Sequence, residues 1–292
     1  MTSCRSDTNN AMNIEHKLDN MKQAVERELE RILAREDTLL FQAMRHSVLC
    51  GGKRFRPLLV LSAAESFAAE TALVLPFACG LELIHNYSLI HDDLPAMDDD
   101  DFRRGRPSCH KKFGEDIALL AGDGLLTLAF EVMAEADVPR RLLAKKVQVI
   151  KEIARLAGVD GMIGGQLLDI TFTANEAAEK NVLELMHKKT GAMITASVRT
   201  GAVLGEASPS KLKAVTEYGI NIGLAFQLRD DILDAAEKSK KAAMEKPNYA
   251  LLFGLEKAEE RLEFFVKAGT AALDKAAVKS ASLSCLAEQL LK

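Results

Sequence analysis

Tyr218–Asp234 reads YGINIGLAFQLRDDILD, and Ile222, Ala225, Phe226, Leu228 and Leu233 recur in it at helical intervals. Asp230 and Asp234 therefore lie on one face of a helix, one turn above the other. Like charges so placed destabilise a bare helix by about 0.2–0.5 kcal/mol. A solvated helix end tolerates that, and the pair taken alone fits this bland reading as well as it fits a cation site. A second acid cluster changes the balance. His91-Asp92-Asp93-Leu94-Pro95-Ala96-Met97-Asp98 closes another apolar, helix-like run. The step from Asp92 to Asp98 would place the two on different sides of a regular helix. Pro95 disturbs that ladder, and the chain can then bulge and bring Asp98 back toward Asp92. Bunched carboxylates with room for water suit Mg²⁺, a hard ion that shares itself between a few protein oxygens and substrate phosphates.

The rest of the chain is also helical in pattern. Leu18, Met21, Val25, Leu29 and Ile32 mark an amphipathic helix, and Pro57 stands in the first turn of another through Leu58–Phe67. Further helices are predicted at Ala72–Leu94, Ile117–Ala134, Arg141–Leu156, Ala177–Arg199, Ser210–Asp234, Tyr249–Ala268 and from about Leu273 to Leu291. Alternating β-branched strands, repeats and a mid-chain Pro/Gly-rich linker are absent. The expectation is one all-α domain over 14–292, a bundle of about ten helices, behind a polar, disordered lead-in at 1–13.

Apolar residues make up 48% of the chain, enough for a sizeable core, and the net charge of −4 gives no basic excess for nucleic acid. Five scattered cysteines without C-x-x-C spacing point away from a zinc site or a disulfide framework and toward a reduced, cytoplasmic setting. No signal-type segment opens the chain, and the apolar stretch Thr71–Ile84, which carries Pro76 and Glu82, falls short of a membrane span.

Basic residues accompany the acids. Arg103, Arg104 and Arg106 follow Asp98–Asp101 directly, and Gly51-Gly52-Lys53-Arg54-Phe55-Arg56-Pro57 is a glycine-led loop entering a helix N-terminus. Each alone is readable as surface ion pairs or a turn with exposed cations. Arginine forks and a helix N-terminus are also what phosphate oxygens need. Acids and bases together, on a helical scaffold with no nucleophilic triad, suggest diphosphates held through Mg²⁺, with an apolar interior for hydrocarbon tails.

At this point the chain resembles the trans-prenyltransferases, in particular bacterial short-chain isoprenyl diphosphate synthases of the farnesyl diphosphate synthase type. The resemblance rests on Gly51–Pro57, on Ser88–Gly105 (SLIHDDLPAMDDDDFRRG), on Lys189-Thr190-Gly191 and on Phe226–Asp234 (FQLRDDILD). It implies the isoprenoid synthase fold with a central cavity, a homodimer, and aspartate motifs on opposite walls. The implied reaction is condensation of isopentenyl diphosphate with an allylic diphosphate, dimethylallyl or geranyl, and the implied cofactor is Mg²⁺, about three ions per active site with substrate bound.

Carried over by position, Asp92, Asp98 and Asp230 resemble the metal ligands, supported by Asp93 and Asp234. Arg103 and Lys189, with Lys246 as a third member, resemble the clamp on the allylic diphosphate. Lys53, Arg56, His85 and Arg104 resemble the isopentenyl diphosphate site. Thr190 and Gln227 resemble groups whose oxygens face the carbocation. Gly158–Gln166 reads as glycines that permit close helix approach, and His91 takes no role. Tyr87 and Ser88, five and four positions before Asp92, resemble the residues that set product length. A bulky Tyr87 there implies a floor that halts growth at farnesyl diphosphate, with a geranylgeranyl or geranyl diphosphate synthase as the alternative reading. The chain departs from the family in the short connection Ala235–Pro247, which ends in Glu245-Lys246-Pro247-Asn248-Tyr249-Ala250. A terpene cyclase would replace the second acid cluster, and a non-catalytic subunit of the same fold would have lost aspartates.

Overall fold

The computed structural model describes residues 3–173, 177–237 and 247–292, with side chains from Met12 onward and none at 236–237. Lys246 lies outside the described residues. The all-α expectation holds. Among the described residues the only strands are two-residue pieces, Phe102–Arg103 (β1) and Arg106–Pro107 (β2), paired antiparallel with Arg103 opposite Arg106. Arg104 and Gly105 between them both have positive φ, 52° and 74°. That conformation matches the twist of a tight hairpin, and it is why a glycine stands at the tip.

The chain forms two compact units, Met1–Leu61 with Glu70–Lys146, and Ser62–Ala69 with Val147–Lys292. The first contains α1 (Ser3–Leu33), α2 (Leu39–Val48), α4 (Thr71–Asp92), α5 (Cys109–Phe113) and α6 (Glu115–Glu135), while α3 (Phe55–Glu65) begins in it. Val25, Leu29, Val48, Phe77, Leu81, Ile84 and Leu125 are fully buried here. By length and composition α4 and α6 could each cross a membrane, which corrects the reading that no segment is long enough. Most of α4 is nevertheless interior, and it carries Glu82 and Asn86 among its buried residues.

Buried charge fixes the start of α3. Arg54 is 2% exposed and sits at φ 51°, beyond Gly51 at 88° and Gly52 at 137°. Its Nε donates to Glu26 Oε1 at 2.8 Å, Nη1 to Glu82 Oε1 at 2.8 Å and Nη2 to the Val48 carbonyl at 2.6 Å. Burial alone would lower the guanidinium pKa, but the bonds to Glu26 and Glu82 outweigh it and raise it. An arginine in a core needs such partners, since an unpaired charge there costs several kcal/mol.

The second unit contains α7 (Leu143–Ala157, which begins in the first), α8 (Met162–Ile170), α9 (Glu179–Met186), α10 (Ala192–Leu204), α11 (Pro209–Glu237), α12 (Tyr249–Phe253), α13 (Leu255–Lys275) and α14 (Ala281–Glu288). Two expected helices are interrupted. Ala177–Arg199 is broken by a π-helical turn at His187–Gly191, and Tyr249–Ala268 is broken at Gly254, whose φ of 96° an α-helix cannot accept. Tyr218, also fully buried, donates its hydroxyl to the Leu283 carbonyl at 2.7 Å and so ties α11 to α14.

Glu179 joins three helices of this unit. It accepts from the Tyr249 hydroxyl at 2.6 Å, Lys257 Nζ at 2.7 Å and Arg261 Nε at 2.9 Å. These bonds, the one from Lys257 foremost, hold its pKa at about 2 against an ordinary 4.5. A depressed carboxylate pKa stabilises the fold above the unfolded value, and that stabilisation is lost as pH falls from 4.5 through about 2. Glu179→Gln is therefore expected to cost about 1–2 kcal/mol at pH 7 and much less at pH 3, read from urea unfolding at the two pH values.

Candidate active site

In the first unit the acid cluster caps α4. The bulge expected at Pro95 is present: the Asp98 N–H donates to the Asp92 carbonyl at 2.9 Å, and Met97 and Asp99 N–H groups both donate to the Leu94 carbonyl, at 2.8 and 3.2 Å. The chain between Asp92 and Asp98 is thus a closed ring, and the two aspartates are neighbours through the backbone. Asp92 and Asp98 are half-buried, whereas Asp93 is buried. Asp93 accepts from Arg103 through Nε at 2.9 Å and through Nη2, and Arg103 Nη2 also reaches Asp100 at 2.9 Å. Burial pushes the Asp93 carboxyl upward, and Arg103 opposes that rise.

The basic loop and the hairpin meet in the same unit. Arg104 Nη1 donates to the Gly51 carbonyl at 2.5 Å and lies 3.5 Å from Cys50 Sγ. A Cβ on Gly52 would stand 3.0 Å from the Arg104 guanidinium carbon, so the glycine makes room for it. Among the described residues Arg104 thus bonds neutral acceptors, while Arg54 and Arg103 hold carboxylates. Half-buried His85 senses Arg56, Arg104, Arg54 and Arg103, and burial first, then these cations, push its pKa well down. A neutral histidine among guanidinium groups, one of them that of buried Arg56, is an environment that favours an anion.

Tyr87 is 5% exposed and packs edge-on against His91, with ring centroids 5.6 Å apart. Burial, with a smaller contribution from Asp92, raises its hydroxyl pKa to about 12. Ser88 donates to the His85 carbonyl at 2.9 Å and is thereby turned along its own helix. His91, which the sequence left without a role, is a fixed part of this wall. Its Nε2 donates to the Leu119 carbonyl at 3.0 Å, and a Cβ on Gly122 would fall 2.1 Å from that nitrogen. The signal was Gly122 itself, a glycine inside an otherwise strong helix.

In the second unit a single chain of hydrogen bonds joins the Lys189–Gly191 motif, the Phe226–Asp234 motif and Asn248–Tyr249. Thr190 Oγ1 donates to Gln227 Oε1 at 2.6 Å, and Gln227 Nε2 donates to Asp231 Oδ1 at 2.9 Å. Asp231 Oδ2 accepts the Tyr249 N–H at 2.7 Å, and its carbonyl accepts Asn248 Nδ2 at 3.0 Å. Asp231 is buried and its pKa rises to about 6, because burial outweighs the bonds from Gln227 and Tyr249, and Asp230 and Asp234 add repulsion. Asp230 is half-buried and Asp234 exposed. Asn248 and Tyr249 are thus pinned to the second acid motif.

Lys189 and Thr190 lie in the π-turn, the site of the expected Lys-Thr-Gly motif. Lys189 Nζ donates to Asp169 at 2.5 Å. Of the glycines in Gly158–Gln166, Gly165 is the spacer between helices, since a Cβ there would meet Lys189 N at 2.2 Å. A Cβ on Gly158, Gly161 or Gly164 would first meet the backbone just before it. Gly223, which the sequence did not single out, does the same work as Gly165, with a Cβ 2.5 Å from Gly191 Cα. Gly165→Ala is expected to force α8 off the π-turn and lower stability by about 1–3 kcal/mol, with kcat falling further than stability explains. Thermal unfolding and steady-state kinetics on the same variant separate the two.

The pattern of the polyprenyl synthetase family matches residues 37–285. The chain belongs to that family and is a prenyltransferase. It is 42% identical to the farnesyl diphosphate synthase of Geobacillus stearothermophilus over 95% of this chain and 97% of that one. It is 41% identical to the Escherichia coli K12 farnesyl diphosphate synthase over 86% of this chain and 87% of that one. The chloroplastic geranylgeranyl pyrophosphate synthase of Capsicum annuum is 42% identical over 79% of this chain and 65% of its own length. Among solved structures, an FPP/GFPP synthase from Zymomonas mobilis superposes with a TM-score of 0.87 at 32% identity, covering 97% of this chain and all of that one.

Proposed function

We propose that the chain condenses isopentenyl diphosphate with an allylic diphosphate, dimethylallyl or geranyl, and that farnesyl diphosphate is its main product. The observation that carries the reading is the division of labour within each acid pair. Asp93 and Asp231 are buried and bonded to protein groups, while their neighbours Asp92 and Asp230 are half-buried. Among the described residues Arg104 bears a charge that no carboxylate compensates. The donor set Asp92, Asp98 and Asp230 is all oxygen, and the closed Asp92–Asp98 ring supports the fit to Mg²⁺. Bound Mg²⁺ would neutralise charge on a departing diphosphate.

Within the proposal, Asp92, Asp98 and Asp230 are the metal ligands. Arg103 and Lys189 hold the allylic diphosphate, exchanging their present carboxylate partners Asp93 and Asp169 for phosphate oxygens. Lys53, Arg56, His85 and Arg104 hold isopentenyl diphosphate, which the depressed His85 pKa suits because a neutral ring leaves the positive field for the anion. Thr190 and Gln227 lend oxygen dipoles to the carbocation, and their mutual bond orients both. No buried carboxylate is needed as a base, since the departing diphosphate is itself a proton acceptor. The homodimer, which rests on the resemblance, and the cytoplasmic setting, which rests on the five scattered cysteines, belong to the same proposal.

Farnesyl length is favoured over geranylgeranyl length by Tyr87. Its ring is buried, braced by His91, and cannot swing aside without opening the contact between them. Incubation with Mg²⁺, dimethylallyl and isopentenyl diphosphates, followed by chain-length analysis, tests the reading. Linear farnesyl diphosphate is expected; a cyclic hydrocarbon or no product overturns it. Tyr87→Ala is expected to shift output toward geranylgeranyl diphosphate. Asp92→Asn is expected to lower kcat on the order of 100-fold or more while the protein remains folded.

A further inference from the structure

Beside the first acid motif lies a second constellation to which the reaction gives no task. Asp99 and Asp101 are exposed on the segment after Asp98, and His110 is 6% exposed in the first turn of α5. The β1–β2 hairpin brings them together, and its base is closed by the Ser108 N–H donating to the Asp101 carbonyl at 2.9 Å. One ligand atom each from Asp99, Asp101 and His110 lies within 4.8 Å of the others.

Acids alone would not make a site here. The histidine supplies the second observation: among the described residues buried His110 Nε2 has no hydrogen-bond partner, and it lies 3.9 Å from Asp99 Oδ1. That separation is too long for a hydrogen bond. Buried imidazole nitrogens are normally satisfied, so an orphan beside two carboxylates asks for a third party. The ring's other nitrogen is in contact with Ser108 Oγ at 3.1 Å. With the serine oxygen accepting the Nδ1 proton, Nε2 presents a lone pair toward the acids, the tautomer that a metal ligand needs.

We propose that Asp99, Asp101 and His110 form a site for a borderline divalent transition ion of the Zn²⁺ or Co²⁺ type, separate from the Mg²⁺ ligands. One imidazole nitrogen with two carboxylates suits such ions, whereas Mg²⁺ prefers oxygen alone. Ligands at about 2.0–2.2 Å from one ion stand roughly 3–3.5 Å apart. The triangle closes by small rotations of two exposed aspartates about a buried, fixed histidine. Lys111 already places a cation there, with Nζ 2.8 Å from Asp101 Oδ1 and 3.8 Å from Asp99 Oδ1. Ion and ammonium compete for the same oxygens, so occupancy exchanges a pairing within the chain for a cross-link from the acid segment to α5. The assignment does not depend on the prenyl-transfer reading, and its test uses no substrate.

The experiment is a Co²⁺ titration of metal-stripped full-length protein in excess Mg²⁺, followed by visible d–d absorption. A one-to-one complex is expected, weakened about 10-fold or more by His110→Gln and equally by Asp101→Asn. The second variant changes an exposed side chain and leaves the core intact. Lys111→Met is expected to tighten binding several-fold, which a merely structural histidine would not do. Absence of the complex in the unaltered protein overturns the proposal. So does a complex whose affinity neither His110→Gln nor Asp101→Asn reduces.

Discussion

Adjacent side chains on a helix diverge by about 100°, and the behaviour of both acid motifs follows from that angle. Where Asp92 and Asp230 are half-buried, Asp93 and Asp231 are carried into the protein. A carboxylate delivered into the interior must be bonded or neutralised. The first unit answers with the Arg103 guanidinium, and the second with the Gln227 amide and the Tyr249 N–H. The inward acid then becomes an anchor. Asp93 fixes the hairpin that carries Arg104, and Asp231 fixes Asn248–Tyr249 and, through Gln227, Thr190. Each pair so couples an outward ligand candidate to the groups around it.

This coupling explains which parts of the site were legible in the sequence. The helical placement of Asp230 and Asp234, the bulge at Pro95 and the spacer role of Gly165 follow from periodicity and backbone sterics, which are local. The charges were less legible. Arg54, Arg56, Arg103 and Arg104 look alike as letters, yet Arg54 is a core residue held by Glu26 and Glu82, from α1 and α4. Nothing near Arg54 in sequence announces those partners. His91 was opaque for the same reason, since its support comes from Leu119 and Gly122 on another helix.

Two helix breaks went unread in the sequence, one of them marked by a residue type and the other unmarked. The break at Gly254 is a glycine with positive φ, and such a glycine within a helical pattern is a recognisable stop. The π-turn at His187–Gly191 leaves no comparable mark, because each of its residues is compatible with an ordinary helix. What selects the wider turn is packing: the close approach of Gly165 to Lys189 and of Gly223 to Gly191. Tertiary contacts of that kind are invisible to any local pattern.

The π-turn also sets the rotational phase of everything that follows it in its helix. A π-turn holds one residue more than an α-turn, so α10 is rotated by about 100° from where a continuous α9 would have put it. Every residue of α10 is buried except Arg199, which reaches Glu152 and Thr216. Removing one residue from His187–Gly191 would restore an unbroken helix and swing Arg199 away from those partners, toward the position now filled by buried Val198. The inserted residue thus works as a phase shift, and the almost wholly buried circumference of α10 fits only one setting of it.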